Sequence, residues 1–196
     1  MTGFRQLWAS HYPNFEPVGY ELRNAGARHW VRFHSLPRSK RYPDTSAEWD
    51  LLLTRQNELA SAVLGENQGC WLVQSHWEVT PDDAERVSKD DHHPFRATAD
   101  YDLKPAMVTL REPGTEFEQR WEAFAGPAKW SAGRFDRVLR EIANGTAAPT
   151  LWVADATGSV FAPYDGGIDL FLPDEGRARA LRGQHPDWLS THSLGL

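Results

Sequence analysis

The chain has 196 residues, a formal charge of −6 and 40% hydrophobic residues, including nine Trp and nine Phe. This apolar content excludes an intrinsically disordered chain. A single cysteine excludes an intramolecular disulfide and a cysteine-based zinc site, and no apolar run approaches the ~20 residues that cross a bilayer. The acidic total argues against nucleic-acid binding. We therefore expect one soluble, cytoplasmic domain over residues 1–196 that does not bind a membrane.

The first part of the sequence predicts a helix, two strands and a long helix. The first helix covers Phe4 to His11, and the strands cover residues 20–23 and 29–34. The long helix begins at a capping box, since Thr45 and Glu48 have the required spacing, and an apolar stripe continues from there to Gly65.

The middle of the sequence predicts an antiparallel meander. Residues 70–79 alternate between apolar and polar side chains, which is typical of a half-buried strand. A polar loop over residues 81–94 follows, and then strands near 95–101, 106–111 and 116–124.

The last part of the sequence predicts two helices and three strands. Ser131 is a candidate cap for a helix that Gly145 ends, and a second helix begins near Asp174. Strands are expected at 150–155, 159–162 and 167–172. Because turns rather than helices join most neighbouring strands, the pattern predicts a single α+β domain. Its largely antiparallel sheet would have about six to eight strands, packed with three to four helices.

A basic loop between a strand and a helix is the strongest candidate for a ligand site. Arg38, Lys40 and Arg41 lie just before the start of the long helix, where free backbone N–H groups also favour an anion. Arg32 and His34 occupy alternate positions of the preceding strand and would point the same way. The loop could hold a phosphate or a carboxylate, or it could be an exposed segment that pairs with acidic side chains of this protein.

A glycine turn supplies a second candidate for the rim of a pocket. Tyr164 and Asp165 precede two glycines between two predicted strands, and glycines there allow the close approach of another backbone. A purely structural bend explains the same residues.

Other chemistry has weaker support. The residues Lys89-Asp-Asp-His-His-Pro94 contain oxygen and imidazole donors, but adjacent residues rarely face one ion, so we assign no metal. We name no catalytic residue and expect no cofactor, because no nucleophile motif is present and Cys70 is interpreted as a buried apolar residue. Trp71, Trp77, Trp121 and Trp152 are predicted to lie in the core, whereas Trp30, Trp130 and Trp188 could face a partner.

Four short segments resemble those of a group of uncharacterised bacterial proteins. They are Leu36-Pro-Arg-Ser-Lys-Arg-Tyr-Pro43, Arg55-Gln-Asn57, Pro163-Tyr-Asp-Gly-Gly167 and Asp187-Trp-Leu-Ser190, and the resemblance extends over residues 17–196. It implies a bacterial, cytoplasmic protein and no particular activity.

Two functional hypotheses follow. The first is a non-catalytic binding or regulatory module, similar to an immunity protein, whose acidic residues 78–102 contact a protein partner. The second is an enzyme or sensor for an anionic small molecule held by the basic loop, with His34 as a general acid or base. The oligomeric state stays open.

Overall fold

The computed structural model describes residues 3–27, 29–77, 96–111 and 119–190. Seven strands form one sheet in the order β1-β7-β6-β5-β2-β4-β3, and every neighbouring pair is antiparallel. The predicted α+β class with an antiparallel sheet is therefore confirmed. The strands are β1 (Trp30–His34), β2 (Gly69–Trp77), β3 (Lys104–Arg111), β4 (Gln119–Lys129), β5 (Thr150–Ala154), β6 (Val160–Tyr164) and β7 (Gly167–Phe171).

Five α-helices accompany the sheet in the described parts of the chain. The capping box of the long helix is confirmed: Thr45 Oγ1 accepts a hydrogen bond from the Glu48 backbone, and Glu48 accepts one from the Thr45 backbone. No helix among the described residues has both the length and the apolarity to cross a membrane. The helices are α1 (Phe4–His11), α2 (Gly19–Asn24), α3 (Ser46–Leu64), α4 (Asp136–Ala143) and α5 (Glu175–Gln184).

Helices cover both faces of the sheet. Apolar residues of α3, α4 and α5 pack on one face, and those of α1 and α2 pack on the other. Because side chains of a strand alternate between faces, strands β5 and β7 are buried at every position. The same double cover buries Val73 on one face of β2 and Gln74 on the other, so the prediction of a half-buried strand was wrong.

Three predicted elements differ from the structure. Residues 20–23 lie in α2 rather than in a strand. Val18 and Leu22, four positions apart, are both buried, which is the spacing that a helix places on one face. Residues 96–98 form a 3₁₀ turn instead of part of a strand. Helix α4 begins at Asp136 and has Phe135, not Ser131, at its N-cap.

The aromatic residues form much of the core. Trp130, one of the three tryptophans that could have faced a partner, is fully buried, and its ring stacks on Phe135 with a centroid distance of 5.2 Å. Trp152 and Trp121 are buried as predicted, and so is Cys70. Burial raises the pKa of the Cys70 thiol to about 12, which makes it unreactive.

Candidate functional site

A cleft of about 540 Å³ opens where β1 ends beside the turn between β6 and β7. Helix α2 forms one wall, and residues 147–150, which lead from α4 into β5, form another. The loop after β1 forms the rim. The polar side chains of the lining are those of Tyr20, Arg23, His34, Ser39, Arg41, Thr150, Tyr164, Asp165 and Asp169.

Asp169 of the cleft lining belongs to a buried ion pair whose partner, Arg32, lies behind the lining. Arg32 donates two hydrogen bonds to the Asp169 carboxylate, at 2.8 and 2.9 Å, and Trp30 Nε1 donates a third at 2.9 Å. The side chains of Arg32 and Asp169 are only 8% and 3% exposed. The pair is formed because β1 and β7 are antiparallel neighbours in which Arg32 lies opposite Asp169. Such a bidentate geometry fixes both side chains.

Tyr164 packs on this ion pair from the side of β6. The Arg32 guanidinium lies 4.7 Å from the centre of the Tyr164 ring, at cation–π distance. Burial raises the pKa of the Tyr164 hydroxyl to about 12, so this group stays protonated and can donate a hydrogen bond.

His34 lies at the end of β1 and faces the cleft. Its Nε2 lies 3.1 Å from Ser39 Oγ. Burial lowers the pKa of the imidazole, and the positive charges of Arg32 and Arg55 lower it further, although a hydrogen bond with the Gly166 backbone acts in the opposite direction. Neutral imidazole is therefore favoured near pH 7.

Arg41 and Asp165 close the rim from opposite sides. Arg41 donates to Asp165 Oδ2 from Nε at 2.8 Å, and its Nη2 lies 2.6 Å from the same oxygen. The Tyr42 hydroxyl donates to that oxygen at 3.1 Å. This hydrogen bonding raises the pKa of the Arg41 guanidinium, which thus carries its charge throughout the usual pH range. Arg41 is exposed and Asp165 is half-buried, and an anion could compete with Asp165 for Arg41.

Gly167 allows β1 to approach the β6–β7 turn. A Cβ at this position would lie 2.3 Å from the Phe33 carbonyl oxygen, far inside van der Waals contact. Because His34 is the register partner of Gly167, the close approach also determines where the imidazole lies.

The structure brings together four of the seven predicted ligand residues in the cleft lining: His34, Arg41, Tyr164 and Asp165. Arg32 contacts Asp169 and Tyr164 directly behind the lining. The other two residues lie elsewhere.

Arg38 and Lys40 are outside the cleft lining. Lys40 forms ion pairs with Glu48 and Asp44 at the start of α3, the latter at 2.9 Å. Lys40 is therefore paired with acidic side chains of this protein near the start of α3, as the alternative of a purely structural loop predicts.

Sequence reasoning missed several residues of the site. Tyr20 and Arg23 were assigned to a strand, whereas α2 carries both into the cleft wall. Asp169 did give a signal, because it is a charged residue within an otherwise apolar strand, and a buried charge needs a partner. Residues 147–150 also line the cleft, and their sequence contains no motif that would have indicated a site.

The segments that carry the family resemblance meet around this cleft. The loop at 36–43 and the turn at 163–167 form the rim. The buried Arg55 donates to the His34 carbonyl oxygen at 3.1 Å, and its guanidinium lies 4.9 Å from the ring centre of Trp188. Residues as far apart in the chain as Arg55 and Trp188 therefore support one end of β1.

The two other hypotheses concern residues beyond the described ranges. The metal hypothesis at 89–94 and most of the acidic surface at 78–102 lie outside them. The described part of that surface contains Asp100 and Asp102, which form ion pairs with Arg137 and Lys104. The binding of a protein partner there stays a prediction.

Comparison with known proteins identifies a family and no function. No curated protein and no solved structure matches this chain. Residues 18–193 match the family described as "Domain of unknown function (DUF3885)". The chain belongs to this family.

Proposed function

For this member of the DUF3885 family, we propose the binding of a small anionic ligand, a carboxylate or a phosphate, in the cleft at the end of β1. The observation that carries the proposal is the convergence of Arg23, His34 and Arg41 on one cavity from three separate elements. A concave site with a few convergent polar groups is typical of a small-molecule site.

The charge balance of the cleft favours an anion. Arg23, Arg32 and Arg41 supply three positive charges, and Asp165 and Asp169 supply two negative ones. This leaves one positive charge with His34 neutral, inside a protein whose formal charge is −6. An anionic ligand would neutralise that charge.

Arg23 is the cation best placed to gain from a ligand. Its Nη1 lies 3.8 Å from Asp169 Oδ2, too long for a hydrogen bond, and the same carboxylate is already held by Arg32. Its other bonds are to the neighbouring Asn24 at 3.2 and 3.3 Å. A ligand carboxylate or phosphate would supply a charged acceptor at hydrogen-bond distance, which this guanidinium does not have among the described residues.

The size of the cleft agrees with a ligand of metabolite size. A volume of about 540 Å³ falls within the range of ~300–1,000 Å³ that small-molecule sites show. Apolar atoms of residues 147–149 and 162–163 would contact the uncharged part of the ligand. The protein would then act as a sensor or binding module for that compound.

A thermal-shift titration with inorganic phosphate and a panel of small carboxylates tests the proposal. A ligand present at about 100 times its Kd stabilises the folded state by about 2.7 kcal/mol. For a chain of this length, that free energy corresponds to a rise in Tm of roughly 5–11 °C.

Three variants assign the effect to the cleft. Arg23→Ala and Arg41→Ala should abolish the saturable shift, whereas Arg38→Ala should preserve it. Arg38 is the matched control, because it is an exposed arginine of the same loop that lies outside the cleft lining. A shift that Arg38→Ala removes and Arg41→Ala leaves intact would refute this site, as would the lack of a shift with every anion.

A further inference from the structure

A serine and a histidine form a hydrogen-bonded pair at the rim of the cleft. Ser39 Oγ and His34 Nε2 are 3.1 Å apart, and both residues line the cavity. This distance is within the reach that proton transfer from a serine hydroxyl to an imidazole requires. The pair has the atoms of a nucleophile and its base, which the sequence motifs did not indicate because four residues of a loop lie between them.

The backbone holds Ser39 in an uncommon conformation. Arg38 and Ser39 both have φ values of +56°, in the left-handed region that non-glycine residues rarely adopt. Two such residues in succession direct the short Ser39 side chain back toward the end of β1. Backbone of this kind is concentrated at functional sites, where the surrounding structure maintains it.

Several contacts orient the imidazole. His34 pairs with Gly167 across β1 and β7, and the neighbouring Gly166 backbone acts to raise the pKa of the imidazole, against the lowering by burial. In the neutral tautomer that carries its proton on Nδ1, His34 accepts the Ser39 hydroxyl hydrogen bond at Nε2. The buried Arg55 fixes the backbone of the same residue through its bond to the His34 carbonyl oxygen.

We infer that Ser39 is a nucleophile and His34 its general base in the hydrolysis of a carboxylic ester that carries a negative charge. Only the preference for a negatively charged ester rests on the proposed function. The serine chemistry rests on the pair itself.

Each step of this reaction balances. Ser39 Oγ attacks the ester carbonyl carbon while its proton moves to His34 Nε2, and a tetrahedral oxyanion forms. The C–O bond to the alcohol then breaks, and His34 returns the proton to the leaving oxygen. Water then attacks the acyl carbon of the acyl-serine while His34 takes its proton. The bond between the acyl carbon and Ser39 Oγ breaks, His34 returns the proton to Oγ, and the carboxylic acid leaves.

The positive charges of the cleft are opposite in sign to the oxyanion that forms during the reaction. The oxyanion forms in a cavity lined by Arg23 and Arg41, where fixed cations stabilise a developing negative charge. The lowered pKa of His34 keeps the imidazole available as a proton acceptor near neutral pH.

The test combines covalent labelling with ester turnover on the intact protein. A fluorophosphonate probe should modify the unaltered protein, and peptide mass spectrometry should locate the adduct on Ser39. Mono-p-nitrophenyl succinate should be hydrolysed faster than the uncharged p-nitrophenyl acetate. Ser39→Ala and His34→Gln should each lower the rate at least about 100-fold, whereas Ser46→Ala, an exposed serine at the start of α3, should not.

The outcomes separate the two proposals. An adduct on another serine, or turnover that Ser39→Ala leaves unchanged, would overturn the inference even if the phosphate shift is observed. Labelling of Ser39 with equal rates for the two esters would support the serine chemistry and overturn the preference for an anion. Because labelling uses the unaltered protein, the inference stays testable if a variant fails to fold.

Discussion

Replacing Asp169 by Asn should destabilise this protein more than almost any other single exchange of a carboxylate for an amide. Asp169 accepts hydrogen bonds from Arg32 at 2.8 and 2.9 Å and from Trp30 at 2.9 Å, and the residue is 2% exposed. The amide keeps one acceptor oxygen but places an NH₂ group against the guanidinium. Arg32 would then be a buried cation without its counter-ion.

The magnitude follows from the burial of both partners. Removing one member of a buried ion pair costs about 3–5 kcal/mol, a large part of the ~5–15 kcal/mol that stabilises a typical domain. For a chain of this length, the loss corresponds to a fall in Tm of roughly 6–20 °C. Asp100→Asn is the matched control, because Asp100 also forms a 2.7 Å ion pair with an arginine, but with side chains 57% and 75% exposed. Exposed pairs contribute less than ~1 kcal/mol.

Urea unfolding followed by tryptophan fluorescence measures both variants. Asp169→Asn should lower the midpoint without changing the slope. The double variant Arg32→Met/Asp169→Leu should lose less free energy of unfolding than the two single variants combined, because neither charge is then left unpaired. A loss below about 1 kcal/mol for Asp169→Asn, or fully additive single losses, would refute the reasoning.

Three further outcomes are expected. Gly167→Ala should lower Tm and displace β1 from the β6–β7 turn, because the new Cβ would lie 2.3 Å from the Phe33 carbonyl oxygen. Gly183→Ala, in an exposed part of α5 with no atom within 4 Å, should instead raise stability by about 0.5–1 kcal/mol in the same thermal melt. Thr45→Ala should cost about 1 kcal/mol, measured by urea unfolding, since it removes the cap of α3. His34→Asn should flatten the pH dependence of Tm below about pH 6.5. The folded state lowers the pKa of His34, so the unfolded state binds a proton more readily as the pH falls. His34 therefore makes the folded state less stable at low pH than above the unfolded pKa, and the variant removes this loss. An unchanged pH profile would contradict that assignment.

Local patterns predicted most of the elements but not the site. The capping box at Thr45 and the apolar periodicity of β5 to β7 are local signals, and both are confirmed. Alternation failed at β2, because the apparently polar face is covered by a second layer. There, the buried Gln74 hydrogen-bonds to Thr150 and Thr98.

The site depends on pairings that no local pattern encodes. The sequence indicated the loop near Arg41 and the turn near Asp165 separately, and their ion pair across 124 positions appears only in the folded chain. The Ser39–His34 pair depends on two consecutive left-handed residues, neither of which is glycine, so composition gave no sign of the turn. Helix α2 was missed because six residues are too few to establish a helical period.

The position of β1 in the sheet determines when the cleft can exist during synthesis. Within the described sheet, β1 pairs with β7 and with no other strand, although about 130 residues separate the two along the chain. At translation rates of ~5–20 residues per second, β1 waits roughly 7–26 s for its partner. Until β7 has left the ribosome, the backbone of β1 is an unpaired edge, and Arg32 has no carboxylate to meet. A ligand of the cleft can therefore stabilise only chains synthesised past β7, and chains that end before β7 present an edge available to chaperones and proteases.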